Sequence, residues 1–430
     1  MGVAKARELK PLAVQSVKVT PVALVLGGGL SGMVAALTLA DSGFETHLVE
    51  KSSELGSDLK EIARTPEGED VQSLRANLLD RVCAHPKIRV RTNTAVKEIS
   101  GFVGNFSTVL HRGEERIQHG VVIVATEAHE HKPNEYLYGE DGRVLTQREL
   151  EAKIERSEAR EKTIVMIQCV GRNEQRPYCS RICCAEALQN ALALLDQDPD
   201  RQVYVLYREM ISYGFLEDLY RRARDSGVVF IRYDEQAPPV VRKERDQLFV
   251  TVRDARLRQE VLIKPDLVVL STGVVPDPYN EELSRLLKVP LDAYGFFVEA
   301  HIKLRPVDFA SHGIFLCGGS HAPGTISELI AKAQAAAGRA AIILSKEQLE
   351  AGGIVASVDP EKCTACLTCV RECPFGAVFI NELGLAEIEA VKCQGCGICA
   401  ADCPAKAIQL GQFEDIQELR MLEELFAYEH

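Results

Sequence analysis

Along residues 21–350 the chain alternates continuous apolar runs with segments of helical spacing. "VALVL" at 22–26 reads as a fully buried strand, "LSGMVAALTLAD" as a small-residue helix, and "THLV" as the next strand. Residues 88–91, 95–100, 106–111 and 121–125 read as short strands, with "GFVGN" turning between two of them. The cycle restarts with "KTIVMIQCVG", the helix "AEALQNALALL" and the strand "QVYVLY". It closes with "DLVVLSTGVVP", "GIFLCGG" and an alanine-rich helix that Thr325 and Glu328 open as a T-x-x-E capping box. Two interleaved α/β units follow, each of the dinucleotide-binding type, with the second inserted into the first. We divide the chain into a basic, extended N-terminal arm (1–20), a first unit in two parts (21–150 and 276–350) and a middle unit (151–275). A distinct C-terminal domain (351–412) and a C-terminal helix (413–430) complete it. That helix carries Phe413, Ile416, Leu419, Leu422 and Phe426 on one stripe, a face for a partner or for its own neighbouring domain.

Composition narrows the class. Of 430 residues, 46% are apolar and 26% charged, the mix of a soluble globular protein. Sixty-two acids against 50 bases give a net charge of −12, which argues against nucleic acid or an anionic membrane as the main partner. No signal peptide or spanning segment is apparent, so the expected compartment is the cytoplasm, without membrane insertion. Fourteen cysteines in a reducing compartment point to metal or redox ligation before disulfides.

Eight of them form a repeat. "CTACLTCVRECP" at 363–374 and "CQGCGICAADCP" at 393–404 share the run C-x2-C-x2-C-x3-C-P. In such a run three cysteines bind one cubane, and the fourth, before the proline, reaches the other. Cys363, Cys366, Cys369 and Cys403 are thus assigned to one 4Fe-4S cluster, and Cys393, Cys396, Cys399 and Cys373 to a second. A zinc ribbon would show two C-x2-C pairs without the C-P tails.

A G-x-G-x-x-G turn at Gly27, Gly29 and Gly32 lies between the first strand and its helix, and Glu50 ends the next strand. Bare glycine backbone lets a pyrophosphate sit at the helix N-terminus, beside Leu30 and Ser31, and the acid suits a ribose hydroxyl. The motif takes FAD or NAD and does not choose between them. If the helix that begins after Thr325 aims its N-terminus at a flavin, it would favour the charge that builds on reduction.

The middle unit departs from its own plan. Its strand-to-helix loop has no G-x-G-x-x-G and carries Cys169, Cys179, Cys183 and Cys184 instead, four soft ligands where a nicotinamide nucleotide would otherwise bind. From spacing alone the loop could hold a cluster or zinc, since C-x9-C-x3-C-C matches no standard run. Cys83 and Cys317 read as plain buried residues.

These residues together resemble the heterodisulfide reductase family, in its flavin-bearing A component, over nearly the whole chain. The resemblance is carried by "GGGLSGMVAALTLADSGFETHLVEK", "GFVGNF", "PNEYLYGED", "QCVG" with "PYCSRICC", "YVLYRE", "KLRPVDFASHGIFLCG" and the cysteine repeats. It implies a thioredoxin-reductase-like flavoprotein of two dinucleotide-binding domains with a C-terminal α+β two-cluster ferredoxin domain. FAD and three 4Fe-4S clusters are the implied cofactors, the loop cysteines holding a noncubane cluster. The implied role is electron transfer between partner redox subunits, in some complexes by flavin-based bifurcation, with a homodimer of the flavin domains also open. By the same resemblance Lys51, Thr126 and Gly318 join the cofactor site, and Lys303 and Glu140 are charges near the isoalloxazine. This chain lacks the ferredoxin that longer members insert after "VGNF". Where flavoproteins read A-T-G it has Ala125-Thr126-Glu127, which stands against a close passage of the cofactor. The rival expectation is a free-standing NAD(P)H-dependent FAD iron–sulfur oxidoreductase, which would need a second nucleotide site.

Overall fold

The computed structural model describes residues 2–12 and 14–427. Two parallel five-stranded sheets organise it. In the first, the strand order is Ile314–Leu316, Val121–Val124, Val22–Leu26, Glu45–Val49 and Ile88–Arg91. Val22–Leu26 is central and covered on both faces. Ala23 and Val25 belong to a core with the helices Leu30–Asp41 and Ile326–Leu344, while Leu24 and Leu26 join Phe106, Leu283 and Phe309. This is why the run reads as continuously apolar. The two helices pack closely because their buried residues are small, Ala35 and Ala36 on one and Ala333, Ala336, Ala337 and Ala340 on the other.

The second sheet runs Val144–Thr146, Leu267–Leu270, Thr163–Ile167, Gln202–Tyr207 and Val229–Arg232. Ile164, Met166, Val203 and Val205 share a core with the helix Cys183–Gln197. Val165, Ile167 and Leu206 lie against an antiparallel ribbon that includes Gln247–Arg253. Because Val144–Thr146 pairs with Leu267–Leu270, the middle unit begins near residue 144 rather than 151. The chain crosses between the two units where Ala128–Glu130 pairs with Val274–Pro276.

The C-terminal domain is built from two hairpin-like pairs, Ala356–Val358 with Ile408–Leu410 and Val378–Ile380 with Ala386–Ile388. Between them lie the short helices Thr368–Glu372 and Ile398–Ala401, one per cysteine repeat.

The N-terminal segment is not wholly extended as expected. Gly2–Arg7 is helical and packs on the helix Asp415–Phe426, with Lys5 paired to Glu418 and Lys10 to Glu414, each at 2.6 Å. A six-residue helix is marginal alone, and this docking supplies its context. Val14–Lys18 is a strand antiparallel to Gln348–Gly352. The apolar stripe of the C-terminal helix does not fold onto the ferredoxin domain. Ile416, Leu419, Leu422 and Phe426 stay 47–61% exposed, and the buried residue is Gln417, which donates to the Glu8 carbonyl. Residues 428–430 of the expected helix lie outside the described residues. Among the described residues no helix is long and apolar enough to cross a membrane.

Candidate functional site

The glycine motif forms the strand–turn–helix that its spacing predicts. A Cβ on Gly32 would stand 1.8 Å from the Gly27 carbonyl oxygen, so only glycine lets the helix start this close to the strand end. Gly27 itself has φ +111°, a left-handed conformation, with the Ala125 carbonyl oxygen 2.4 Å from where its Cβ would be. The Glu50 carboxylate accepts from the amides of Gly28 (2.5 Å) and Ser52 (2.6 Å), which fixes it at the mouth of the turn. Lys51 lies over the Tyr279 ring, 4.8 Å from its centroid. Thr126 donates to Asn280 Oδ1 (2.9 Å), and Gly318, at φ +88°, passes 2.4 Å from the Thr126 carbonyl oxygen, measured from the Cβ it lacks.

Two clefts meet here. One is lined by Gly27, Gly29, Glu50, Lys51, Thr126 and Tyr279. The other lies between the two α/β units, lined by Leu30, Ile182, Glu186, Thr325 and Ile326 among others. Asp58 and Glu127 border both. The capping box at the inter-unit cleft is complete: Thr325 Oγ1 accepts from the Glu328 amide, and Glu328 Oε2 from the Thr325 amide. The helix Ile326–Leu344 therefore presents a well-ordered N-terminus to this cleft.

All four loop cysteines line a single pocket in the middle unit. Cys169 follows the strand Thr163–Ile167 in a left-handed conformation (φ 60°), and Cys183 and Cys184 open the helix Cys183–Gln197. The strand-to-helix turn is thus where a nucleotide-binding unit would hold its phosphates. The Arg181 amide points at Cys179 Sγ and the Ile211 amide at Cys184 Sγ, both at 3.4 Å. Arg172, Arg176 and Arg181 line the same pocket, a positive wall suited to a thiolate cluster of net negative charge. Without a metal, burial pushes the Cys184 thiol up to about 12, and Cys169 and Cys183 are raised for the same reason. Among the described residues no three Cys, His or acidic side chains converge as around a single ion. Arg181 also reaches across, donating to the Pro323 carbonyl (3.0 Å) and Glu328 (3.2 Å), and so ties the cysteine loop to the capped helix.

In the C-terminal domain the two repeats are near copies. Ala365 and Leu367 in the first repeat and Gly395 and Gly397 in the second all have positive φ, so the same tight loop recurs, relaxed where glycine is present. The fourth cysteine of each run accepts an amide bond from four residues on: Ala377 to Cys373 and Ala407 to Cys403, both 3.3 Å. Cys363, Cys369, Cys373, Cys393, Cys399 and Cys403 gather in one core, with Cys366 and Cys396 exposed at its edge. All fourteen cysteines are free of disulfides.

Residues 356–379 match the family of 4Fe-4S binding domains, and residues 25–84 that of NAD(P)-binding Rossmann-like domains. In Methanothermobacter thermautotrophicus the A component of an H2:CoB-CoM heterodisulfide,ferredoxin reductase is 32% identical, over 89% of this chain and 73% of its own. The chain belongs to the HdrA family, the A components of heterodisulfide reductases. A second relative, an iron–sulfur A component of CoB–CoM heterodisulfide reductase in Methanopyrus kandleri, is 31% identical over 99% of this chain and 80% of its own. As a member of this family the protein is an oxidoreductase. Its fold is that of thioredoxin reductase: the Lactococcus lactis and T. acidophilum enzymes superpose with TM-scores of 0.52 and 0.50 over 75% and 76% of this chain, at 17% and 16% identity, covering 98% of each enzyme. The alignment to the Methanothermobacter protein runs over 483 positions, more than this whole chain has, so that relative carries internal residues which this chain lacks.

The structure places the two residues that the family resemblance puts at the isoalloxazine outside the two clefts. Lys303 is exposed in a loop whose Ile302 and Leu304 are 74% and 79% exposed. Glu140 is exposed too, and neither lines the two clefts. In "YLYGED" the buried acid is Asp141, whose carboxylate takes Arg143 and Lys243, both at 2.8 Å, and these cations hold it well below the usual carboxylate range. Glu127, weighed from sequence only as a missing glycine, turns out to be 8% exposed and to face the glycine loop. Asp58 was missed, although its place just after Gly56 in a glycine-bearing loop near the motif was the available signal.

Proposed function

We propose that this protein is an electron relay, holding FAD across the two joined clefts and three 4Fe-4S clusters, one in the cysteine loop and two in the ferredoxin domain. Its partners would be the other redox subunits of a heterodisulfide-reductase-like complex. The observation that carries this reading is the single pocket of four cysteines at the middle unit's strand-to-helix turn, tied by Arg181 to the cleft of the first unit. The donor set fits a cluster: four thiols, amides aimed at sulfur and an arginine wall. The first unit fits a dinucleotide through its bare glycines and its helix-end amides, which already engage anionic oxygens. Bound FAD would supply the junction between two-electron and one-electron transfer, and the clusters single-electron steps. The chain's own part is to orient these groups, with Glu50 at the ribose end, the capped helix at the other cleft and Arg181 between cleft and loop. Relatives named for two acceptors, a heterodisulfide and ferredoxin, support a relay that divides electrons at the flavin.

Anaerobically purified protein is expected to carry about twelve iron atoms per chain, the sum for three 4Fe-4S clusters, and one FAD. Mixing with NADH or NADPH should leave the flavin absorbance unchanged on the timescale of turnover. Rapid bleaching by either nucleotide would replace this reading with that of a free-standing NAD(P)H oxidoreductase.

A further inference from the structure

The two clefts at the glycine loop are divided from each other by the protein's own carboxyl groups. An extended dinucleotide needs the passage between them as one space, with its pyrophosphate against the helix N-terminus. In that passage Glu127 accepts from the Ser31 amide (2.9 Å) and the Gly319 amide (2.6 Å), so one carboxyl bridges the glycine-loop helix and the turn after the strand Ile314–Leu316. Asp58 accepts from the Leu30 amide (3.1 Å). A Cβ on Gly29 would meet Glu127 Cγ at 2.6 Å and Asp58 Oδ1 at 3.0 Å, so both acids fill the space over bare glycine. Ser31 Oγ and Asp58 Oδ1 are buried there without hydrogen-bond partners, donor and acceptor capacity that the carboxyl pair does not use.

We propose that the Glu127 carboxyl occupies the pyrophosphate cradle of the glycine loop, and that a dinucleotide diphosphate is admitted together with one proton at the Glu127–Asp58 pair. This rests on the flavin reading above. The surroundings are acid-rich. Glu50 and Asp277 face the pair from one cleft, where Lys51 and His129 answer them, His129 being paired with Asp277 at 3.1 Å. From the other cleft come Glu151 and Glu186, with Arg64 and Arg148 as the cations, and the buried Cys317 thiol lies close enough to sense Glu127. A diphosphate added to this surplus meets a carboxylate as a repelling acceptor and a protonated carboxyl as a donor. Burial, with Asp58 next, pushes the Glu127 carboxyl up to about 7, and burial raises Asp58 as well. The sign follows. Below about pH 7 Glu127 already holds its proton, and little uptake accompanies binding. Above it, binding must bring the proton, uptake approaches one, and affinity falls by up to about tenfold per pH unit.

The test is calorimetric titration of FAD into the flavin-depleted, cluster-loaded full chain at about pH 6, 7 and 8, each in two buffers of different ionisation enthalpy. FAD's own groups titrate outside this range. Close to one proton taken up at pH 8, little at pH 6, and a Kd that weakens across the range are expected. Glu127→Gln should flatten the pH dependence and abolish the uptake. Wild-type binding with no proton uptake and a constant Kd would overturn the inference, and it does so even if the variant fails to fold. FAD binding at no pH would instead overturn the flavin assignment on which it rests.

Discussion

Gly32 and Gly29 are three residues apart in one motif, yet the structure separates their roles. At Gly32 an added Cβ meets backbone, the Gly27 carbonyl at 1.8 Å, and neither strand nor helix can yield without losing its sheet or core contacts. At Gly29 the nearest atoms the same Cβ meets belong to side chains, Glu127 Cγ at 2.6 Å and Asp58 Oδ1 at 3.0 Å, rather than to backbone. Gly32→Ala is therefore expected to cost about 3 kcal/mol or more and to show as a lowered thermal midpoint. Gly29→Ala should fold with a midpoint close to wild type and lose FAD affinity instead, because its methyl group occupies the pyrophosphate cradle. Equal loss of stability in both variants would contradict this division. The glycine spacing was legible in the sequence because strand, turn and helix are local. What fills the cradle was not: Glu127 lies 96 positions from Ser31 and 192 from Gly319, and no periodicity links residues so far apart.

At the scale of elements, continuous apolar runs located the central strands well, since parallel strands covered on both faces lose their alternation. Elements that depend on partners were harder to see. Arg116–His119 is a short edge strand whose pairing with Asn105–Leu110 gives it its form, and Gly2–Arg7 is helical against a helix more than 400 residues away. The cap at Thr325 was legible because T-x-x-E is a local signal, and the structure completes both of its bonds. Thr325→Ala should cost about 1 kcal/mol while Thr325→Ser keeps most of the cap, as measured by denaturant midpoints of the two variants. A flavin spectrum altered in the alanine variant alone would link the ordered N-terminus of the helix Ile326–Leu344 to the cofactor as well as to stability.

Across the whole molecule the first unit touches both sets of cysteines. The ferredoxin domain sits against it where Phe102, Val103, Lys288 and His312 face Pro374, Phe375 and Lys392 across a shared cavity. The cysteine loop meets it on the other route, through Arg181 to Pro323 and Glu328. If the loop site is a separate cluster, its loss should leave the rest intact. Cys179 is only partly buried, so Cys179→Ala removes a ligand with little cavity cost. We expect iron to fall from about twelve to about eight per chain while FAD content and the ferredoxin-type paramagnetic signals persist. Cys83, expected from sequence to be buried, is an exposed thiol outside every site, so Cys83→Ala is the control and should leave iron unchanged. Iron that stays at its wild-type level in Cys179→Ala would mean that these four cysteines serve packing rather than electron transfer, and the relay would then have to run through the ferredoxin domain alone.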